Sequence, residues 1–357
     1  MRNLLFALLT ICALHGYSQS KIAFTKLAKQ SDGLYYHNDT LYTGETLLLW
    51  PISNKPMQRI TWKAGQIDGT FKSWYEDGKQ DQVIRYSKGL RHGKFKTFYR
   101  NGAPEVECTY LNGVLDGGYT SHYMSARPKK RATFREGKEQ GAFILYHSNG
   151  KKEQEGTYKD GKPDGLVTSF DREEKLRKKI TYKKGLRDGM TIRYHISGKI
   201  AETCEYVDGF ATGEKLTYTL EGQVIMKESY KQGKLDGEKI LYTMNANPLE
   251  IITYRNGERN GKYVLYKEQG IDTYGEYLDD MKEGEWTENK YNEGGGDVGS
   301  YTQGKKNGKW ELGANNLFGK CKGEFVDNMK HGTWEYWKHN GKKWKTESWS
   351  NGVLLKQ

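Results

Sequence analysis

The cysteines and histidines are the first residues to test for chemistry, because these side chains serve as nucleophiles, bases and metal ligands. Cys108 and Cys204 stand at equivalent places, two residues before an aromatic residue, where Ile or Ala stands elsewhere in the chain. His92 and His331 each precede a glycine at a position that otherwise holds Asp. No Cys or His spacing is typical of zinc. The pattern predicts small core cysteines and turn histidines.

Other candidate chemistry is equally weak. The stretch GSYTQGKK, from Gly299 to Lys306, has the Gly-x4-Gly-Lys spacing of a phosphate loop. Lys306, however, stands where a Ser or Thr should bind magnesium. Carboxylates are numerous but follow a repeat, and the insertion-like stretch YNEGGGDVGS, residues 291–300, contains no nucleophile with a base. We therefore expect a protein that is not an enzyme and has no cofactor and no metal site.

A repeat governs the glycines and aromatics. Each unit begins with an aromatic residue, here called the anchor, in the pattern Tyr-x-x-Gly-x-x-x-Gly. The anchors are Trp62, Tyr86, Tyr110, Phe134, Tyr158, Tyr182, Tyr206, Tyr230, Tyr254, Tyr277, Tyr301, Phe325 and Trp349. Eleven of the twelve intervals are 24 residues and one is 23. Such a period indicates a tandem-repeat architecture.

Two further columns share this step. A glycine follows every anchor but the last by seven residues, and another usually follows the anchor by three, with Asp280 and Asn328 as exceptions. Asp and Asn tolerate a left-handed backbone better than most residues do. A second aromatic column stands twelve residues after the anchor, as at Phe98 and Tyr194. Each unit is therefore predicted to be turn, strand, turn, strand.

These patterns predict an all-β fold, an elongated array of antiparallel β-hairpins with a 24-residue period and about 12–13 repeats. Residues 38–357 form the predicted array, and residues 21–37 an N-terminal lead or cap. Hydrophobic residues are only 35% of the chain, and the mean hydropathy is −0.89, which argues against an ordinary enzyme core. The 26 Tyr, 11 Phe and 9 Trp argue against disorder.

Residues 1–20, MRNLLFALLTICALHGYSQS, are predicted to be a cleaved signal peptide, with a basic Arg2 and a short apolar run. We expect an exported protein in the periplasm, the cell envelope or the medium, without a transmembrane segment. The formal net charge of the whole chain is +12. Anionic glycans or lipid headgroups are therefore possible ligands, whereas that compartment disfavours nucleic acid.

The columns resemble the MORN repeat, and more closely its bacterial variant, the family often labelled YwqK-type antitoxin. Matching stretches are YKKGLRDGMTIRYHISGK (182–199), YRNGERNGKYVLYKEQG (254–270) and FVDNMKHGTWEYWKHNGK (325–342). The resemblance covers about nine-tenths of the chain. It implies a β-hairpin array that acts as a scaffold or protein-interaction surface. The antitoxin label implies a partner toxin.

One column is uneven along the chain. Trp286, Trp310 and Trp334 stand nine residues after their anchors, where Phe stands in early repeats. The simpler interpretation is that they fill the core, and the alternative is an exposed aromatic ladder for sugar rings or a protein groove. In the alternative, the neighbouring Lys305, Lys306, Lys309 and Lys330 would favour an anionic ligand.

Three functional hypotheses follow. The leading one is a non-catalytic, exported scaffold or protein-interaction module. The second is a binder of envelope polysaccharide or lipid headgroups through the C-terminal Trp and Lys residues. The third is an antitoxin-like partner of a toxin or effector.

Overall fold

A computed structural model describes residues 21–292, 295–315 and 317–356, so the predicted signal peptide lies outside the described residues. The chain divides into two compact units, residues 1–151 and 152–357. Apart from one 3-10 helix, the regular elements of the described residues are β-strands, as the repeat pattern predicted. No helix in these ranges is long and apolar enough to cross a membrane.

The first unit contains strands β1 (Lys21–Ala23), β2 (Ala28–Lys29), β3 (Tyr35–His37), β4 (Thr40–Leu41), β5 (Gly44–Leu49), β6 (Pro56–Lys63), β7 (Gln66–Trp74), β8 (Gln80–Ser87), β9 (Leu90–Phe98), β10 (Pro104–Leu111), β11 (Val114–His122), β12 (Pro128–Arg135), β13 (Lys138–Glu139) and β14 (Gly141–Tyr146). The 3-10 helix is Phe24–Lys26. From β5 to β12 each strand is antiparallel to the next, and β12 pairs with both β13 and β14.

The second unit contains strands β15 (Lys152–Lys159), β16 (Lys162–Pro163), β17 (Gly165–Phe170), β18 (Leu176–Lys183), β19 (Leu186–Tyr194), β20 (Ile200–Val207), β21 (Phe210–Tyr218), β22 (Val224–Lys231), β23 (Lys234–Tyr242), β24 (Pro248–Arg255), β25 (Glu258–Lys267), β26 (Gly270–Leu278), β27 (Met281–Glu288), β28 (Asp297–Thr302), β29 (Lys305–Leu312), β30 (Lys320–Val326), β31 (Met329–Trp337), β32 (Lys343–Ser350) and β33 (Val353–Lys356). β15 pairs with β16 and β17, and the later strands pair antiparallel in chain order.

The turn after each anchor explains the first glycine column. In the β8–β9 hairpin, Lys88 and Gly89 have φ angles of 50° and 79°, and positive φ at both central positions is typical of a type I′ turn. Asp280 and Asn328, which replace this glycine, also have positive φ, at 66° and 69°. The Gly89 N–H donates to the carbonyl of Ile67 in the preceding repeat (2.8 Å), so the turn also joins adjacent hairpins.

The second glycine column marks a β-bulge. β9 places residues 92–94 opposite the single residue Arg85, and Gly93 has a φ of 91°. Such a bulge bends the strand and needs a residue that accepts a left-handed backbone. The Asp that often precedes this glycine binds the next repeat, since a carboxylate oxygen of Asp68 accepts the Lys88 N–H at 3.1 Å.

Most of the buried residues lie on the sheet face that carries the anchors, here called the core face. Residues two before and nine after an anchor meet there as cross-strand partners, as Cys108 and Phe95 do, and the Phe95 ring lies 5.5 Å from the ring of Tyr110. The three described cysteines are free and buried, and burial raises the pKa of the Cys108 thiol to about 11.

The N-terminal residues of the first unit cover its first core aromatic. The ring centroids of Phe24 and Tyr35 lie 6.2 Å and 4.6 Å from that of Trp62. β1 pairs in parallel with β5, and β2, β3 and β4 form a separate small sheet.

Candidate interaction surface

The three tryptophans of the predicted ladder lie in the core of the second unit. Trp286, Trp310 and Trp334 are 1%, 2% and 0% exposed. Each indole N–H donates to a backbone carbonyl at 3.1 Å, on Glu276, Ser300 and Glu324 respectively. This placement agrees with the interpretation that they fill the core.

Both faces of each indole are covered. Glycines Gly275, Gly299 and Gly323 lie against the three rings so closely that an added Cβ would stand 2.2 Å from ring carbons. On the other side, the ammonium groups of Lys282, Lys306 and Lys330 lie 4.3, 4.0 and 4.5 Å from the ring centroids. No ring face is left for a sugar, so the exposed-ladder interpretation is not supported by the geometry.

Of the four lysines named from the sequence, Lys306 and Lys330 contact the tryptophans, whereas Lys305 and Lys309 do not. Lys305 is the first residue of β29, directly after the turn that follows its anchor, and its ammonium is 3.8 Å from a carboxylate oxygen of Asp327. Lys309 is exposed and precedes Trp310 by one residue, so its side chain points to the opposite face of the sheet. The structure therefore does not bring Lys305 and Lys309 together with the indoles.

The sheet face opposite the core face is here called the outer face, and it is charged near the end of the second unit. Glu311 of β29 pairs with Lys322 of β30 at 2.8 Å, and Glu335 of β31 pairs with Lys343 at 2.5 Å. The first unit has a similar pair, in which Lys96 and Glu107 lie 2.6 Å apart. Exposed pairs of this kind contribute little to stability and keep a sheet face polar.

The middle of the second unit reverses this polarity. On the core face of β20–β23, Lys215 lies 3.2 Å from Glu228 and 3.5 Å from Glu202, and Lys239 lies 3.7 Å from Glu228. Glu228 is 6% exposed although it occupies the column that holds Ile180 two repeats earlier. Burial lowers the pKa of Lys215, but the two carboxylates outweigh that effect and raise it.

The outer face carries apolar residues mainly in the strands that follow, where the core face holds aromatic residues. Cross-strand pairing places five apolar residues in one row, one each in the consecutive strands β23–β26 and one in β28. These residues, here called the apolar patch, are Ile240, Ile251, Val264, Tyr274 and Val298. Val264 is 2% exposed, whereas Tyr274 and Val298 are 47% and 48% exposed. A row of neighbouring apolar side chains on a solvated face is typical of an interaction surface.

Asp272 is the most deeply buried carboxylate of the described residues. No group of three His, Cys, Asp or Glu side chains in the described ranges could hold a metal ion. The fully buried carboxylate of Asp272 accepts the Tyr291 N–H (3.2 Å) and lies 3.0 Å from the Lys267 ammonium. Burial raises its pKa, and these contacts together with the Thr273 hydroxyl outweigh burial and lower it. Asp272 thus holds the hairpin tip of the shortened repeat.

Sequence reasoning did not find the patch as a site. Ile192, Leu216, Ile240 and Val264 stand two residues before the second aromatic column and share its face, but this spacing alone does not identify a surface. A signal was present, because Lys215 and Lys239 occupy the core column in the repeats where the next residue is aliphatic. Period-2 alternation then places the aliphatic residues on the outer face.

The hairpins and their repeated turns define a tandem-repeat β protein. Three segments, residues 91–112, 139–160 and 163–184, match the family described as MORN repeat variant. No curated protein matches the sequence.

Solved structures give only distant similarities. The Tc holotoxin pore of Photorhabdus luminescens is 10% identical with a TM-score of 0.13, over 84% of this chain and 18% of that chain. A TcdB2–TccC3 structure is 9% identical with a TM-score of 0.16, over 90% of this chain and 24% of that chain. The chain thus spans less than a quarter of the length of these proteins, and the function must be argued from its own surface.

Proposed function

We propose that the protein is a non-catalytic interaction module that binds a protein partner through the apolar patch of its second unit. The observation that carries this proposal is the exposure of Tyr274, the cross-strand partner of Val264, and of Val298 two strands further on, on a face that is charged in later strands. The recurring glycines and anchors are occupied with turns and core packing, so they are not available for recognition. The patch is an exposed feature that differs between repeats.

The experiment is in-cell cross-linking followed by mass spectrometry, comparing wild type with the variant Tyr274→Ser/Val298→Lys. We expect one or more partners whose cross-links to residues near the patch disappear in the variant. Leu166→Lys is the matched control, because Leu166 is also an exposed apolar residue of a strand, at 51%. A partner set that is the same in all three proteins would contradict the proposal. A toxin among the patch-dependent partners would support the antitoxin-like role.

Binding of envelope polysaccharide or lipid headgroups through Trp286, Trp310 and Trp334 is less favoured, because these indoles are buried between glycine and lysine. Carbohydrate recognition through an aromatic platform needs a free ring face.

We also propose that the chain is exported by residues 1–20. The support is the sequence alone, a basic residue followed by a short apolar run and a small, polar tail. N-terminal sequencing of the protein from envelope and medium fractions should give a mature chain that begins near Ser20. A chain that retains residue 1 and stays in the cytosol would contradict export.

A further inference from the structure

A groove crosses part of the apolar patch on the outer face of β25–β27. Its volume is about 510 Å³, and Val264, Ile271 and Tyr274 form its apolar floor. Val264 is the cross-strand partner of Tyr274, so these two side chains lie next to each other in the floor. A floor of this kind accepts apolar side chains.

Acidic residues surround this floor. Glu276, Glu283 and Glu285 line the groove with a single lysine, Lys262. A carboxylate oxygen of Glu283 accepts the Gln303 N–H at 2.7 Å. Glu276 and Glu285 are exposed, and their carboxylates make no hydrogen bond or ion pair with another described residue. Two free carboxylates therefore stand beside an apolar surface.

This local charge is opposite to that of the whole protein. The chain has a formal net charge of +12, yet the groove has three acids and one base. Complementary charge around an apolar contact determines which partners bind and how fast they associate. An anionic membrane or an acidic glycan would be repelled by Glu276 and Glu285.

We propose that this groove binds a basic segment of a partner protein, with an apolar side chain seated on Tyr274 and flanking Lys or Arg residues beside Glu276 and Glu285. This inference rests on the proposed function and specifies the chemistry of the partner. The apolar contact provides the site, and the carboxylates select for positive charge.

The test measures fluorescence anisotropy of the intact protein with two short labelled peptides, one of alternating Lys and Val and one of alternating Glu and Val. We expect the Lys-Val peptide to bind and the Glu-Val peptide to bind at least about tenfold more weakly, with affinity falling as salt is added. Glu276→Lys/Glu285→Lys should weaken Lys-Val binding about tenfold or more. Tyr274→Ser should weaken it without changing the melting temperature.

Glu324→Lys is the matched control, because Glu324 is exposed, occupies the same repeat column as Glu276 and lies outside this groove. It should leave Lys-Val binding unchanged. Equal losses from Glu324→Lys and Glu276→Lys would overturn the groove as the site, and absent binding or a preference for the Glu-Val peptide would overturn the partner chemistry. Cross-links that still depend on Tyr274 and Val298 in cells would then show that the proposed function stands while this inference fails.

Discussion

Strands β20–β23 and β27–β31 share the same hairpin backbone but fill the core face with opposite chemistry. In β27–β31 the core column holds three tryptophans, each seated on a glycine of the neighbouring strand. In β20–β23 the same columns hold Lys215, Glu228 and Lys239, joined by ion pairs of 3.2–3.7 Å. The repeat therefore fixes the backbone and leaves the composition of each face open.

The two regions can differ in their core residues because the same backbone interactions stabilise each hairpin. The type I′ turn, the bulge glycine and the hydrogen bonds between adjacent turns are present in both regions, for example from the Gly233 N–H to Ala211 O and from the Gly304 N–H to Lys282 O, each 2.9 Å. These interactions do not depend on the core residues. Burial can then shift from the core face to the outer face, as at Val264.

The largest expected effect comes from removing a core indole. Trp334→Ala should destabilise the second unit by about 3–5 kcal/mol, because it deletes a fully buried ring that rests on Gly323. Chemical unfolding followed by tyrosine and tryptophan fluorescence measures the loss. The control is Trp344→Ala, since Trp344 is 46% exposed and should cost about 0.5 kcal/mol or less. Equal effects of the two variants would contradict the assignment of Trp334 to the core.

The next effect tests the ionic core. Glu228→Ala should destabilise by about 1–3 kcal/mol, because it leaves Lys215 and Lys239 half-buried without their shared carboxylate. Replacing all three residues by Leu should restore most of this loss or exceed wild-type stability. Glu214→Ala is the control, because Glu214 pairs with Lys227 on an exposed position. If Glu228→Ala is as stable as wild type, these ion pairs do not stabilise the core face.

The period and the turn chemistry could be predicted from the sequence because glycine, Asn and Asp at fixed spacing indicate turn positions with a left-handed backbone. The core position of Trp310 could also be predicted from the sequence, because Gly313 replaces the usual second aromatic residue in that repeat. Of the four lysines named from the sequence, Lys305 and Lys309 do not lie at an indole. Lys306 does, four residues before Trp310, beyond the bulge at Gly308. The groove depends on which residues meet across strands in the shortened repeat, which spacing along one strand does not reveal.

A smaller effect should distinguish the buried Val264 from the exposed Val298 within the apolar patch. Val264→Ala should cost about 1–2 kcal/mol, because Val264 is 2% exposed between Ile251 and Tyr274. Val298→Ala, the same change on the same face, should cost about 0.5 kcal/mol or less, since Val298 is 48% exposed. Thermal unfolding of the two variants provides the comparison. If Val264→Ala has no effect, burial on the outer face does not contribute to the stability of the second unit.

The smallest expected effect is a pH dependence from Glu347, which occupies the same column as Glu228 but lies among aromatic residues. Burial raises the pKa of Glu347, but hydrogen bonds from Lys345 (2.6 Å), Tyr336 and the Trp349 indole N–H (3.0 Å) outweigh it and lower the pKa below its ordinary value of 4.5. The folded state therefore binds this proton less readily than the unfolded state does. The stabilisation is present above pH 4.5 and is lost as the pH falls through the folded pKa.

Unfolding free energies of wild type and Glu347→Gln, measured between neutral and acid pH, check this sign. The difference between the two proteins should be largest near neutral pH and shrink as the pH falls below 4.5. Glu335→Gln is the control, because Glu335 pairs with Lys343 on the outer face and is half-exposed. If wild type instead becomes more stable relative to Glu347→Gln as the pH falls, the aromatic core disfavours this carboxylate rather than stabilising it. Glu347 of β32 would then behave as an uncompensated buried charge, unlike the paired Glu228.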